Sequence, residues 1–443
     1  MTNLAWTVES VLPSVIADLH RLIEIPSISS KPEHDADVEA CAELVAELFR
    51  GARCPDVRIL RAGGKPAVYG HYPAPEGQPT VLLYAHYDVQ PTGDLAEWTS
   101  PPFSPSERDG RLYARGAADD KGGIAVHLAA IRAFDGQPPV GIKLFIEGEE
   151  EISSPSMAQL LDTYGQELSA EAIIIADSVN WQVGQPSLTT TLRGNIDASV
   201  TVSTLEHGLH SGEFGGLVPD ALTALVRLLA TLHDERGNVA IQGLVCDETP
   251  QAEYDPAQLR EESGVLDGVE WIGEGSFAER MWVKPAVSII ALDTTRSADA
   301  SNTLIPSASA VVSLRLAPSD DPDRAMQALT SHLRSHAPWG AHVEVVPGRT
   351  GSGIVLNLGG PVGEAAAAAF TDAYGMPPVE VGVGGSIPLA AELAERYPDA
   401  TILLTAVVDP TSRMHSIDES VELADLAKAA NAETDLLVRL ARG

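Results

Sequence analysis

TVLLYAHYDV, residues 80–89, is a run of large apolar and β-branched residues that closes on an imidazole and a carboxylate. A run this short, without polar alternation, reads as a strand buried on both faces. GIKLFIEG (141–148) and EAIIIAD (171–177) repeat the pattern, and TILLTAVVD (401–409) repeats it again near the end of the chain. Between these runs, GGIAVHLAAIRAF (122–134) and MAQLL have helical texture. Upstream, apolar residues fall at helical spacing from Leu4 to about Ile23, and a second helical pattern runs from Val38 to Phe49. This alternation predicts an α/β domain with a mostly parallel sheet covered by helices. Ligands of such sheets sit beyond the carboxyl ends of the strands.

Near Thr191 the texture changes. NIDASVTVS (195–203) alternates at period two, as a half-exposed antiparallel strand does, and a helix is expected over Ala221–Leu232. An irregular acidic stretch (about 246–280) and two strand-like runs, VSIIALD and SAVVSLRL, follow. The α/β texture resumes at GGPVGEAAAAAF (359–370) and ends in a helix from about Leu423. The expected organisation is one α/β domain, residues 1–191 and 357–443, interrupted by an α+β unit at 192–356.

Lys and Arg total 29 against 62 Asp and Glu, a net charge of −33. That field repels phosphate backbones and anionic lipid, so neither a nucleic-acid nor a membrane partner is expected. No window approaches the roughly 20 apolar residues that span a bilayer. The start, with Glu9 and no basic run, does not read as a signal peptide. Cys41, Cys54 and Cys246 are too few and scattered for a disulfide framework, so a cytoplasmic location is expected.

Acids and histidines concentrate at the strand ends. His86 and Asp88 close the first run, and an i, i+2 pair on extended backbone projects to one face. RGAADDKGG (115–123) opens a helix with Asp119 and Asp120. Capping accounts for one Asp and leaves the second unexplained. EGEEE (147–151) follows the second strand, Asp177 ends the third, and His415 follows the last. Each place has a structural excuse, but fold maintenance does not require five such places at one end of one sheet. His, Asp and Glu ligands in this number suit two divalent ions of the zinc, manganese or cobalt type. A carboxylate shared by ions about 3.5–4 Å apart is the arrangement of dinuclear hydrolases.

Taken in order, YAHYDVQP (84–91), LYARGAADDKGG (112–123), EGEEEISS (147–154), ADSVNW (176–181), LHSGEFGG (209–216), SNTLIPSASA (301–310), VSLRLAP (312–318), GGSIP (384–388) and MHSIDE (414–419) resemble the M20 metallopeptidases over nearly the whole chain. The nearest likeness is to the cytosolic nonspecific dipeptidase and carnosinase branch. The resemblance implies a zinc-exopeptidase-like catalytic domain with an inserted lid and dimerisation domain, and a homodimer. It makes Asp119 the carboxylate bridging two divalent ions, most simply zinc, with His86 and Asp177 on one and Glu151 and His415 on the other. Glu150 matches the general base, although Glu149 stands beside it and Ser153 replaces a family glycine. Asp88 matches the residue that orients His86, and the peptide after Asp119 is expected to be cis. His210 matches an oxyanion donor reaching the partner subunit's site. Arg315 matches the grip on the substrate carboxylate, with Asn302 (or Thr303) and Ser386 as further substrate contacts. The activity implied is hydrolysis of dipeptides with a free C-terminal carboxylate. An N-acyl-amino-acid deacylase or a carboxypeptidase would share the ligands. A catalytically silent scaffold is disfavoured, because every ligand position is filled.

Overall fold

A computed structural model of the chain describes residues 4–247, 249–385 and 388–442. The chain divides into two compact units, one of Met1–Thr190, Leu356–Val381 and Ile387–Gly443, the other of Thr191–Val355 and Gly382–Ser386.

The first unit is built on a sheet whose strands lie in the order Asp56–Leu60, Ala67–Tyr72, Gly141–Glu147, Thr80–His86, Ala172–Val179, Thr401–Val408 and Ser187–Leu192. Gly141–Glu147, Thr80–His86, Ala172–Val179 and Thr401–Val408 are mutually parallel, and the strands flanking them run antiparallel. The parallel strands are the apolar runs of the sequence, and both of their faces are buried. Helices Leu4–Ile23, Lys121–Ala133, Pro361–Tyr374 and Leu423–Leu440 pack against one another. Their apolar sides join Leu83, Leu144, Ile174 and Leu403 in one core. Each such fully buried side chain contributes roughly 1.5–3 kcal/mol.

The His86 strand stops earlier than its apolar run suggests: the Tyr87 N–H still donates to Glu147 O (2.8 Å) on the neighbouring strand, but the Val89 N–H donates away from the sheet, to Ser27 O (3.0 Å). That departure places Asp88 off the strand.

The second unit holds an antiparallel sheet in the order Ala286–Asp293, Ser307–Leu316, Gly194–Ser203, His342–Gly351. Ala308, Ala310, Val312, Leu314 and Leu316 are buried at period two, and so are Ile196, Ala198, Val200 and Val202. Helices Ala221–Leu229 and Pro322–Ser335 pack on these strands. The expected helix over 221–232 is α-helical to Leu229 and tightens to a 3₁₀ turn beyond it. The acidic stretch carries the short helix Pro256–Ser263, capped by Asp255, and runs into a π-helical turn, Glu279–Val283. Residues 382–385 are grouped with this unit, which periodicity did not separate. The Arg193 N–H donates to Val383 O (3.2 Å), and a side chain at Gly382 would collide with Trp282. Among the described residues, no helix is long and apolar enough to cross a membrane.

One buried ion pair ties the first unit's helices to its central strand. His127 Nδ1 lies 2.9 Å from both Glu433 oxygens, and Nε2 lies 2.9 Å from the Tyr84 carbonyl. Both ring nitrogens face acceptors, so the imidazolium is the form this site satisfies. Burial opposes that charge, but Glu433 outweighs it and the His127 pKa is raised. A raised folded-state pKa gives stability that is complete below the unfolded value and is lost as pH climbs through the folded one. Glu433→Ala should therefore cost about 3–5 kcal/mol in denaturant unfolding at mildly acidic pH. The difference from wild type should shrink as pH rises, and a pH-independent difference would contradict the charged pair.

Candidate metal centre

The parallel register brings the sequence-predicted residues to one end. His86 ends its strand directly opposite Glu147, Asp177 lies two residues before the end of Ala172–Val179, and Thr401–Val408 leads into the loop of His415. Asp119 and Asp120 enter from the start of helix Lys121–Ala133 through a cis peptide between them. Asp120 occupies the N-cap position but makes no side-chain cap hydrogen bond. Its Oδ2 instead accepts the backbone N–H of His86 at 3.2 Å, and its Oδ1 is buried without a partner. Capping therefore explains neither aspartate.

Asp119 stands between two histidines. Oδ1 lies 3.1 Å from His86 Nε2, and Oδ2 lies 2.9 Å from His415 Nε2. Asp177 Oδ2 is 3.9 Å from His86 Nε2, and Glu151 Oε2 is 3.2 Å from His415 Nε2. His86 directs Nδ1 at Asp88, whose carbonyl is 3.1 Å away and whose carboxylate is 3.4 Å away. That arrangement leaves Nε2 to face Asp119 and Asp177. Asp88 also accepts the N–H groups of Glu150 (3.2 Å) and Glu151 (3.1 Å), which fixes the turn after the second strand. Gln90 holds Glu151 through its backbone N–H (3.1 Å) and side-chain amide (2.8 Å).

The adjacent glutamates have different surroundings. Glu149 is filled by donors: the Lys65 N–H (2.7 Å), the Ser156 N–H (3.1 Å) and the Ser156 hydroxyl (2.5 Å). The Glu150 carboxylate receives no hydrogen bond from any described residue, and burial pushes its pKa up to about 7. Sequence alone could not separate the two, because their difference lies in what Lys65 and Ser156 do.

Crowding sets the electrostatics. Burial and the neighbouring carboxylates raise Asp177 well above the usual range, and burial with Asp119 raises Glu151. Burial resists charge on His86, yet Asp119, Asp88 and Asp177 outweigh it and raise its pKa; Asp119 and Glu151 push His415 up to about 10. Two groups of donor atoms each lie within 4.8 Å of one another: His86, Asp120 and Asp177, and Asp119, Glu151 and His415. Imidazole nitrogen and carboxylate oxygen suit borderline divalent ions, and a nest crowded with carboxyl groups, one oxygen of Asp120 being orphaned, fits a cation. The residues fit a dinuclear centre, and Asp120 joins the group beyond the set expected.

His210 and Asn302 are neighbours within the second unit. His210 pairs with Thr303 across a short antiparallel ladder, and the Ser211 N–H donates to Asn302 O (2.9 Å). His210 is exposed, with its Nδ1 accepting the Gly212 N–H at 3.1 Å. Arg315 is half-buried on Ser307–Leu316, opposite Asn195 and Ala286. Ser386 lies outside the described residues.

The model of Peptidase family M20/M25/M40 matches residues 82–439. The chain is 35% identical over 433 residues to the Cysteinylglycine-S-conjugate dipeptidase of Corynebacterium striatum, covering 96% of this chain and 95% of that protein. It is 30% identical over 273 residues to a Beta-Ala-His dipeptidase of Mus musculus, covering 58% of this chain and 56% of that protein. Among solved structures, the di-peptidase Dug1p of Saccharomyces cerevisiae shares the fold with a TM-score of 0.82 at 22% identity, over 100% of this chain and 98% of that one. With its site residues gathered at the ends of the parallel strands, the chain belongs to Peptidase family M20/M25/M40.

Proposed function

We propose that this peptidase hydrolyses the peptide bond of dipeptides bearing a free C-terminal carboxylate, with the help of two divalent ions that Asp119 would share. The observation that carries the reading is the Asp119 carboxylate, with one oxygen toward His86 and the other toward His415. His86 and Asp177 would complete one ion's ligands, and Glu151 and His415 the other's. Zinc suits the donors best, with manganese or cobalt as substitutes. Bound ions would lower the pKa of a water between them and polarise the scissile carbonyl. Relatives named as dipeptidases favour this reading over a deacylase or carboxypeptidase.

Glu150 acts as general base, taking a proton from the attacking water and returning it to the leaving amine. Its carboxylate is free of hydrogen-bond donors, whereas that of Glu149 is occupied, which supports the choice. Glu150→Gln should keep wild-type metal content and lose about 10²–10⁴-fold in turnover. Glu149→Gln should chiefly lower stability, by disturbing the acceptor of Lys65 and Ser156. If Glu149→Gln proves the inactive one, the roles are reversed.

Arg315 grips the substrate carboxylate, with Asn302 and Ser386 as further contacts, a role that suits a forked donor. A charge-assisted partner is worth about 1.5–3 kcal/mol, so dipeptide amides should be cleaved roughly 10–150-fold less efficiently than the acids. Arg315→Ala should erase that preference. Equal rates on acid and amide with the wild type would remove Arg315 from this role.

The working form is a homodimer in which His210 serves the partner subunit's site as oxyanion donor. Ile289, Ile290 and Leu292, on the outermost strand of the second unit's sheet, are 44%, 54% and 47% exposed, and an apolar unpaired edge favours a covering partner. Mixing Glu150→Gln with His210→Ala under subunit exchange then leaves one sound site in each mixed dimer. Activity should return to about a quarter of wild type if exchange is random. No recovery despite exchange would place His210 in its own chain's site or in none. The unpaired Cys41, Cys54 and Cys246 suit a cytoplasmic location. Fractionating cells of the source organism checks it, and finding the protein outside the cytoplasm would overturn it.

A further inference from the structure

Glu419 is buried four residues after His415, and its carboxylate is the hub of the loop that carries Asp119. Oε1 accepts the backbone N–H groups of Ala118 (3.0 Å) and Asp119 (3.1 Å). Oε2 accepts the Gly116 N–H (3.1 Å) and the Arg115 guanidinium (2.5 Å). The Glu419 carbonyl accepts the Ala114 N–H at 2.9 Å, so both ends of this residue hold the segment 114–119. Arg115 is itself buried and donates to Pro91 O (3.2 Å), just beyond the end of the His86 strand.

The His415 loop needs such an anchor. Arg413, His415 and Asp418 all have left-handed φ values, 54°, 61° and 53°, which non-glycine residues adopt only where surroundings enforce them. Asp418 is held by the Thr99 N–H (2.9 Å) and hydroxyl (2.8 Å), and Glu419 by the donors above. Four donors converge on two oxygens, an arrangement that only a carboxylate satisfies. An amide at this position would turn N–H groups toward N–H groups.

We propose that Glu419 is a positioning residue for the ion held by Asp119, Glu151 and His415, because it locks the Asp119 backbone to the His415 loop. The proposal rests on the two-ion reading given above. Glu419 touches neither ion nor substrate. It fixes the distance between two ligands that lie far apart in the chain, Asp119 and His415, and partners of this kind commonly govern metal affinity by 10–100-fold.

The test is competitive titration of metal-free protein with Zn²⁺ against a chromophoric chelator, together with steady-state kinetics. Wild type should take up two ions. Glu419→Gln should bind one ion at least about 10-fold more weakly, and the other, which shares only Asp119 with it, should be weakened by a smaller factor. Its turnover should climb toward wild type as Zn²⁺ is added, with KM for the peptide unchanged. Glu419→Asp keeps the charge but is one methylene short, and should fall between the two. A folded Glu419→Gln with both ions as tight as wild type, or with both weakened alike, overturns the proposal. Failure of both variants to fold assigns Glu419 to the scaffold and overturns it too. A wild type that binds fewer than two ions overturns the two-ion reading, and this proposal with it.

Discussion

The Asp119 carboxylate faces two imidazoles at once, and much of the first unit exists to make that possible. His86 is presented by a central parallel strand, His415 by a loop after another parallel strand, and Asp119 by the entrance to a helix. Around them Asp120, Asp177, Glu150 and Glu151 crowd into a space where burial and mutual repulsion resist ionisation. Without a cation, burial and repulsion push these four carboxyl groups toward their protonated forms. With divalent ions they can release their protons, so ion uptake and proton release are two sides of one equilibrium, and affinity should rise with pH.

The supports around this cluster are as specific as the ligands. Asp88 fixes the backbone of Glu150 and Glu151 while limiting the orientation of His86. Glu149 draws its own turn toward Lys65 and Ser156, which leaves Glu150 to face the cluster. Lys121, buried one residue beyond Asp120, donates to the carbonyls of Leu22 and Ile25 and pins the helix entrance to the end of the first helix. A ligand moved by a fraction of an ångström loses coordination, so the energy stored in these hydrogen bonds is spent on geometry.

The parallel sheet was legible because each central strand is a mostly apolar run that ends at or near a chemically distinct residue: His86, Glu147, Asp177 and the approach to His415. In the second unit Gly194–Ser203 was equally plain from its period of two, whereas the largely exposed strand His342–Gly351, interrupted by Pro347, was not read. Less was legible where identical chemistry stands side by side. Asp119 and Asp120, or Glu149 and Glu150, differ only through contacts made by residues far away in sequence, such as the His86 N–H and Ser156. The seating of Gly382 and Val383 escaped the sequence for a similar reason, since it depends on the Arg193 N–H and on packing against Trp282. The roles of His210, Asn302 and Arg315 came from motif resemblance, because no local pattern marks a substrate contact.

The most direct measurement is an anomalous-difference map from crystals of the full chain grown with Zn²⁺ and recorded at the zinc edge. The account predicts two peaks about 3.5–4 Å apart, one on each side of the Asp119 carboxylate. One peak should touch His86 and Asp177, the other Glu151 and His415. A single peak, or two peaks that do not share Asp119, would contradict it.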